Sequence, residues 1–280
     1  MPGSVERYSM LAAAASGGDI SAFLEVWLRE DLLPDEDAAV FREYYRSYQR
    51  NFGHYVKHHY RNQTRELMTQ LEDEPAARVL EVGCGCGTES LWMAVRGFRV
   101  TAVDVSKSLL RVAVARKGIL ERALGRQLAC EFNCKSVLDM DDGPYDLIWM
   151  EQAFHHLEPR AAIVQKISSL LRPGGRLIVS ECNAWNLLQQ LVLFKLRGTR
   201  TIITHNGVVW GHERILTAGR LRREFERGGI EQISVRYFRM LPNRRWADTL
   251  TARLGLFDDA DRWWVRPFYT HYNFVGRKRD

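Results

Sequence analysis

The chain has 280 residues, of which 46% are hydrophobic and 26% are charged. This length and composition exclude a disordered or fibrous chain and predict a soluble globular protein, either one large domain or one domain with additions. The formal net charge of +6 is compatible with acidic partners. The basic residues are interleaved with acids, however, which is typical of a solvated surface.

The chain contains five cysteines, none in a pair with C-x2-C spacing. Such a set argues against a disulfide framework and against a zinc site, and free thiols are typical of the reducing cytoplasm. No basic region precedes the early alanine run, so a signal peptide is not expected. The longest apolar stretch, Leu187 to Leu196, is too short to span a bilayer. The sequence predicts a cytoplasmic protein with no metal site and no stable membrane insertion.

The first 75 residues are predicted to be mainly helical. Helical spacing of apolar residues extends from about Ile20 to Leu71 and is interrupted at Pro34-Asp35. The second helical stretch is rich in tyrosine and histidine, and Pro75 separates it from the first predicted strand. We expect an N-terminal helical cover over residues 1–75, followed by a core domain over residues 76–280.

From Arg78 onward, short strand patterns alternate with helical patterns. This alternation predicts an α/β domain with a mostly parallel sheet and helices on both of its faces. The predicted strands are Arg78–Val82, Arg99–Val103, Ala129–Asn133, Tyr145–Met150, Arg176–Glu181, Gln232–Phe238 and Tyr269–Gly276. The predicted helices are Glu89–Arg96, Lys107–Leu124, Pro159–Leu171 and Ala218–Arg227.

Three segments interrupt this alternation of strands and helices. Pro173-Gly174-Gly175 is expected to end the helix that starts at Pro159. Residues 183–217 and 241–267 are too long for ordinary connections in a compact domain. We predict that these two segments are insertions with a functional role or with helices of their own.

A glycine turn follows the first predicted strand, in the stretch VLEVGCGCGTE. No lysine follows the glycines, which excludes a P-loop, and the spacing does not fit the dinucleotide fingerprint Gly-x-Gly-x-x-Gly. The remaining pattern, Gly-x-Gly-x-Gly, is a strand-to-helix turn that allows a ligand to touch the main chain. A tight turn that binds nothing is the alternative at this point.

Asp104 ends the second predicted strand. Ligands of open parallel sheets bind beyond the carboxyl ends of the strands, and an acid at this place can accept both hydroxyls of a ribose. Ser106 is available to cap the next helix, so Asp104 is not needed for that role. The pattern favours an adenosine-containing ligand without a triphosphate.

Four segments, VLEVGCGCGTES, VTAVDVSKSLL, YDLIWMEQAFHHL and LLRPGGRLIVSE, resemble the class I S-adenosylmethionine-dependent methyltransferases in this order and spacing. The resemblance is greatest to the branch that methylates small molecules, and it covers roughly residues 78–182. It implies a Rossmann-like seven-stranded sheet, mostly parallel with an antiparallel last strand. It also implies S-adenosyl-L-methionine as the cofactor.

The resemblance further implies roles for individual residues. The methionine end of the cofactor would be surrounded by Glu81, Gly83, Gly85 and Gly87, and the ribose would be held by Asp104. The adenine would be contacted by Val105, Ser136 and Val137, and Glu151 would lie beside the sulfonium. Lys135 or its neighbour stands where many relatives have an acid, which is a departure from the pattern at the adenine.

Methyl transfer from a sulfonium is an in-line displacement that depends on positioning and on exclusion of water. A general base is needed where the acceptor holds its proton at neutral pH, as alcohols and phenols do. His155 and His156 follow the fourth predicted strand and are the catalytic candidates. We expect His155 to face the substrate and His156 to be packed. Additional candidates are His205 and His212 in the first insertion, and Glu151 as an acid.

The predicted acceptor is a small or medium organic molecule, such as a secondary metabolite, a modified amino acid or a lipid precursor. After the fourth strand the chain has MEQAFHH in place of the Asn/Asp-Pro-Pro-aromatic motif of adenine methylation, which argues against nucleic acid. The alternatives are an RNA or protein substrate, a cofactor-binding protein without transferase activity, and a membrane-surface enzyme that uses Leu187–Leu196 as an amphipathic foot. The sequence leaves the acceptor atom and the oligomeric state open.

Overall fold

The structure is a computed structural model that describes residues 4–72, 77–186, 188, 191, 201–203, 209–212, 215–254 and 263–280. Within these ranges the helices are α1 (Ser4–Ser16), α2 (Ile20–Arg29), α3 (Asp35–Tyr44), α4 (Arg46–Asn51), α5 (His54–Glu72), α6 (Thr88–Val95), α7 (Lys107–Leu124), α8 (Arg160–Leu170), α9 (Ala218–Arg227) and α10 (Arg245–Leu254). Among the helices in the described ranges, none combines the length and the apolar character needed to cross a membrane.

The strands are β1 (Arg78–Val82), β2 (Arg99–Asp104), β3 (Cys130–Cys134), β4 (Tyr145–Glu151), β5 (Leu171–Cys182), β6 (Thr201–Ile203), β7 (Val209–His212), β8 (Ile230–Phe238) and β9 (His271–Lys278). Seven of them form one sheet in the order β3-β2-β1-β4-β5-β9-β8. Parallel pairs are β1 with β2, β2 with β3, and β4 with β5, whereas β9 is antiparallel to both β5 and β8. The predicted fold class is therefore confirmed.

Contacts divide the chain into two compact units. The first unit combines Met1–Ser136 with Asn243–Leu256, and the second combines Val137–Pro242 with Phe257–Asp280. Each unit is thus made of two segments, and those of the first unit are far apart in the sequence.

In the first unit, the helices that precede the sheet are held by aromatic packing. Phe23, Leu24 and Trp27 form the buried face of α2, at the helical spacing that an amphipathic helix requires. The ring centroid of Phe23 lies 5.5 Å from that of Trp92 on α6. Because large aromatic side chains contribute much of the apolar area buried on folding, this contact is a main attachment of α2 to α6.

The last helix of the first unit comes from late in the sequence. The Asp248 carboxylate on α10 accepts the backbone N–H of Tyr55 at 2.7 Å, a bond between residues 193 positions apart. Tyr55 lies in the first turn of α5, where N–H groups have no partner within the helix and a negative charge suits the helix dipole. A Cβ on Gly53 would lie 2.6 Å from this carboxylate, so the glycine leaves room for the cap.

In the second unit, β4 and β5 supply a core that is buried on both faces of the sheet. Ile148, Trp149 and Ile178 have no exposed surface, as expected of central parallel strands. Phe225 on α9 packs between two further rings, with centroid distances of 4.9 Å to Phe154 and 5.7 Å to Phe274. In addition, β6 and β7 form a separate antiparallel pair.

The structure differs from the sequence prediction at the first helix and at the start of β5, among other places. The predicted helical pattern starts at Ile20 and does not include α1, whose alanine run has few large apolar residues to show periodicity. The helix α8 ends at Leu170, ahead of the Pro173-Gly174-Gly175 signal, and β5 begins at once because Leu171 pairs with Tyr145. The strand pairing therefore overrides the local glycine-proline signal.

Candidate functional site

The glycine turn between β1 and α6 has a backbone that requires glycine. Gly83, Gly85 and Gly87 have φ angles of 77°, 51° and 71°, in the left-handed region that other residues rarely adopt. The N–H groups of Gly83 and Cys84 both donate to the carbonyl of Val103 on β2, at 2.8 and 3.1 Å. The turn is thus anchored to the neighbouring strand.

Asp104 binds the middle of this turn from the end of β2. Its Oδ2 accepts the N–H of Gly85 at 2.9 Å, and its Oδ1 accepts the N–H of Ser106 at 2.8 Å. Burial raises the pKa of the Asp104 carboxyl, and these backbone N–H groups oppose that shift. The Ser106 hydroxyl caps α7 at the N–H of Leu109, as predicted.

Glu81 and the thiols of Cys84 and Cys86 also lie at the turn. Glu81, on β1, is 2% exposed and accepts a hydrogen bond from the hydroxyl of Ser90 on α6. Burial raises the pKa of the Cys84 thiol well above its ordinary value and that of Cys86 to about 12. Both thiols are therefore protonated at neutral pH and act as small fillers of the turn.

A tyrosine of the N-terminal helices lies against the glycine turn. A Cβ added to Gly85 would overlap the hydroxyl of Tyr44 on α3, and the Tyr44 side chain is 42% exposed. Deeper in the unit, a Cβ on Gly87 would lie 2.7 Å from the ring of Phe132 on β3. The turn is therefore packed closely on one side and covered by a partly exposed phenol on the other.

The remaining cofactor candidates fall into both units. Val105 follows Asp104 and is 50% exposed, whereas Val137 is 2% exposed in a short 3-10 helix, Val137–Asp139. Ser136 is half-buried at the end of the first unit, and Glu151 is half-buried at the end of β4 in the second unit. The structure brings Glu81, the glycines and Asp104 together around one turn.

The second unit contains a histidine–carboxylate pair. His155 lies in the 3-10 helix Phe154–His156, and its Nδ1 is 2.7 Å from Oε2 of Glu181 near the end of β5. The backbone N–H of His155 donates to the other carboxylate oxygen at 3.1 Å. The two side chains are only 7% and 3% exposed. A carboxylate that accepts the Nδ1 proton leaves Nε2 as the basic nitrogen.

His156 is adjacent to this pair, with its ring centroid 3.9 Å from that of His155. Burial, together with the charge of His155, lowers the pKa of His156 to about 3. Its Nδ1 is buried and has no hydrogen-bond partner among the described residues. His156 is therefore neutral at physiological pH, and it is the less buried of the two histidines.

The turn after β4 contains a left-handed residue other than glycine. Gln152 has a φ of 49°, its N–H donates to the carbonyl of Ser180 at 2.9 Å, and its Oε1 accepts from the thiol of Cys182 at 3.0 Å. Such conformations concentrate at functional sites, where the surrounding contacts hold them in place.

Glu181 is not among the site residues that the sequence predicts, although its position in the sequence carries a signal. Glu181 ends a predicted strand just as Asp104 does, and the same rule about strand ends applies to both. Of the two histidines in the first insertion, His205 lies outside the described residues, and the structure describes only the backbone of His212, at the end of β7.

A sheet of this order, with a glycine turn after its first strand and an acid after its second, defines the class I methyltransferase fold. A family model for a methyltransferase domain matches residues 80–177. The chain is also 35% identical over 112 residues to a ubiquinone biosynthesis O-methyltransferase of Xanthomonas campestris, covering 39% of this chain and 44% of that protein. It is 30% identical over 120 residues to a phosphoethanolamine N-methyltransferase of Triticum aestivum, covering 42% and 23%.

The fold is shared with solved structures over most of the chain. The crystal structure of magnesium protoporphyrin IX methyltransferase from Synechocystis PCC 6803, with bound S-adenosylhomocysteine, has a TM-score of 0.56, with 16% identity and coverage of 93% of this chain and 100% of that one. Residues 80–177 thus match a methyltransferase domain, and the chain has the fold of the class I S-adenosylmethionine-dependent methyltransferases. The chain spans half or less of the length of the curated relatives it matches.

The conformation of the glycine turn leads to a first prediction. Gly85→Ala should lower the free energy of unfolding by ~1–2 kcal/mol, because a Cβ is strained in the left-handed region. Chemical denaturation measures the loss. The matched control is Gly125→Ala, since Gly125 is also left-handed, with a φ of 64°, but a Cβ there meets nothing within 4 Å. An unchanged stability at both positions would contradict the backbone assignment, and a larger loss at Gly85 would measure the contact with Tyr44.

The low pKa of His156 leads to a second prediction. In the unfolded chain a histidine takes up a proton near pH ~6.5, whereas in the folded protein His156 does so only at about pH 3. Its contribution to stability is complete above the unfolded value and is lost as the pH falls from there through the folded value. His156→Gln should therefore flatten the decline of Tm with falling pH. Identical pH profiles for the two proteins would show that His156 is not buried in its neutral form.

Proposed function

We propose that this protein transfers a methyl group from S-adenosyl-L-methionine to a small or medium organic acceptor. The observation that carries the proposal is the glycine turn, where Gly85 and Gly87 have left-handed backbones and Gly85 is bound by the buried carboxylate of Asp104. The bound cofactor would supply a methyl group already activated on a sulfonium. The chain would supply binding, orientation, exclusion of water and a place for the acceptor's proton.

The turn fits the cofactor because it can only be built from glycine. A Cβ on Gly85 or Gly87 would overlap neighbouring side chains, so only glycine fits at these positions, and a glycine backbone permits the close approach of a ligand that the proposal requires. In this proposal the methionine end is bound by Glu81, Gly83, Gly85 and Gly87. The adenine contacts of Val105, Ser136 and Val137, and the place of Glu151 beside the sulfonium, rest on the resemblance.

Asp104 is proposed to bind the ribose. Each carboxylate oxygen accepts one backbone N–H and keeps a further lone pair for a hydroxyl donor. The two backbone bonds also hold the carboxylate in one orientation, so little side-chain entropy remains to be lost on binding.

The proposed base is His155. Glu181 holds Nδ1, which makes Nε2 the nitrogen that accepts the acceptor's proton, and the nearby carboxylate stabilises the imidazolium that results. The neutral state of His156 at physiological pH avoids a second positive charge beside it. This chemistry applies to an acceptor with a hydroxyl, and an amine that is already neutral would not need it.

The acceptor class is proposed from the relatives, whose names describe methylation of small molecules at oxygen and at nitrogen. We assign the protein to the cytoplasm because its five cysteines are free. In the proposed organisation, residues 1–75 cover the cofactor, with Tyr44 against Gly85. Residues 76–280 form the core, with insertions at 183–217 and 241–267.

The ribose assignment can be tested by substitution. Asp104→Asn keeps one acceptor oxygen for the backbone but removes the charge, and it should weaken binding of S-adenosylhomocysteine by ~1–3 kcal/mol, the range for hydrogen bonds to charged groups. Isothermal titration measures the affinity. The control is Glu131→Gln, an exposed acid on the neighbouring strand β3, which should bind as the wild type does. Wild-type affinity in folded Asp104→Asn would remove the ribose assignment.

The base can be tested once a hydroxyl acceptor is found by screening alcohols and phenols. His155→Gln should lower the single-turnover rate ~10²–10⁴-fold, with cofactor affinity little changed, because only proton removal is lost. His54→Gln, at an exposed histidine of α5, is the control. If the single-turnover rate falls tenfold or less, on the same scale, no histidine is the base. This outcome must hold for the Gln variants at His155, His156, His205 and His212.

A further inference from the structure

Arg116, on α7, has no exposed surface. Removing a guanidinium from water costs several kcal/mol, so a buried arginine requires close partners. Its Nη1 donates to the carbonyl of Cys86 and to the hydroxyl of Thr88, both at 2.7 Å. Cys86 lies within the glycine turn, and Thr88 is the first residue of α6. The guanidinium thus binds the residues immediately before and after Gly87.

The other side of the guanidinium faces the N-terminal helices. Its central carbon lies 4.5 Å from the ring centroid of Trp27 on α2 and 5.0 Å from that of Phe41 on α3. Nε and Nη2 of Arg116 are buried and have no hydrogen-bond partner among the described residues. Attraction to the two aromatic faces therefore replaces part of the lost hydration. Arg116 is packed between the turn and α2 and α3.

The same residues that Arg116 binds are also bound by tyrosines. The hydroxyls of Thr88 and Tyr45 are 2.7 Å apart, and the hydroxyl of Tyr60 on α5 donates to the buried carboxylate of Glu89. Burial raises the pKa of Glu89, and the Tyr60 hydrogen bond and the charge of Arg116 oppose this shift. The first two residues of α6 are therefore attached to the N-terminal helices through polar contacts.

We propose that Arg116 is a positioning residue for the cofactor, acting through the Cys86 carbonyl and the Thr88 hydroxyl. It holds the glycine turn in its binding conformation only while α2 and α3 are packed against the guanidinium. The affinity for the cofactor is thereby coupled to the docking of the N-terminal helices. This inference rests on the proposed function of the turn.

The test compares two arginines of the same helix by titration with S-adenosylhomocysteine. Arg116→Lys keeps the charge but loses the planar fork and its stacking, and it should weaken binding ~10-fold or more, the scale for a displaced binding element. The control is Arg122→Lys. Arg122 is exposed in the last turn of α7, and exposed charges contribute little, so its affinity should stay within about twofold of wild type.

A second measurement separates positioning from simple stability. At a temperature where all proteins are folded, hydrogen exchange should be faster in Arg116→Lys than in Arg122→Lys, both in the turn (residues 84–88) and in residues 27–45. Thr88→Val should also weaken binding, and the double variant with Arg116→Lys should bind no more weakly than Arg116→Lys alone, because the two side chains act as one unit.

The outcomes are distinct. Wild-type affinity in folded Arg116→Lys, or additive losses in the double variant, would overturn the positioning role, even if Tm falls. If Arg116→Lys does not fold, Thr88→Val and Tyr45→Phe decide, since wild-type affinity in both would overturn it. A wild-type protein that does not bind S-adenosylhomocysteine at all would overturn the cofactor proposal itself.

Discussion

The hydrogen bond from the Gly85 N–H to the Asp104 carboxylate is the contact on which the glycine turn depends. It joins the end of β2 to the middle of the turn after β1, and it forms only if the backbone at Gly85 is left-handed. The glycine pattern, the strand-terminal acid and the pairing of β1 with β2 are therefore one arrangement. A change in any of them alters the position of the other two.

Around this contact the first unit buries several charged side chains, and each has a hydrogen-bond donor or acceptor close by. Glu81 has Ser90, Glu89 has Tyr60, and Arg116 has Thr88 and a main-chain carbonyl. Buried charges that are paired add little net stability, but they are costly when a partner is removed. The geometry near the turn thus depends on these polar contacts as well as on apolar packing.

The elements of the sheet could be predicted because their signals are local. The central strands β1, β4 and β5 contain short apolar runs bounded by turn residues. The helices α7 and α9 carry clear periodicity with recognisable ends, at Ser106 and Gly125 for α7 and at Thr217 and Gly228 for α9. The early start of β5 could not be predicted, since it depends on pairing with Tyr145 across the sheet. The position of Asp104 at the end of β2 could be predicted for the same reason as the strands.

The burial of Arg116 could not be predicted from the sequence. An arginine within a helical pattern is expected on the solvated face, and only the distant Trp27 and Phe41 make the interior position tolerable. The hydrogen-bond partner of His155 could be predicted only in part. Glu181 ends a predicted strand, yet its attachment to that histidine is a tertiary contact between residues 26 positions apart.

The cap that Asp248 supplies to α5 has a consequence for how the chain is made. Synthesis proceeds from the N-terminus, so α5 leaves the ribosome long before the carboxylate that satisfies its first turn, 193 positions later. The first unit can reach its final form only after Asp248 has been translated. A fragment that stops at Pro242 would retain every residue around the glycine turn and still lack the cap of α5.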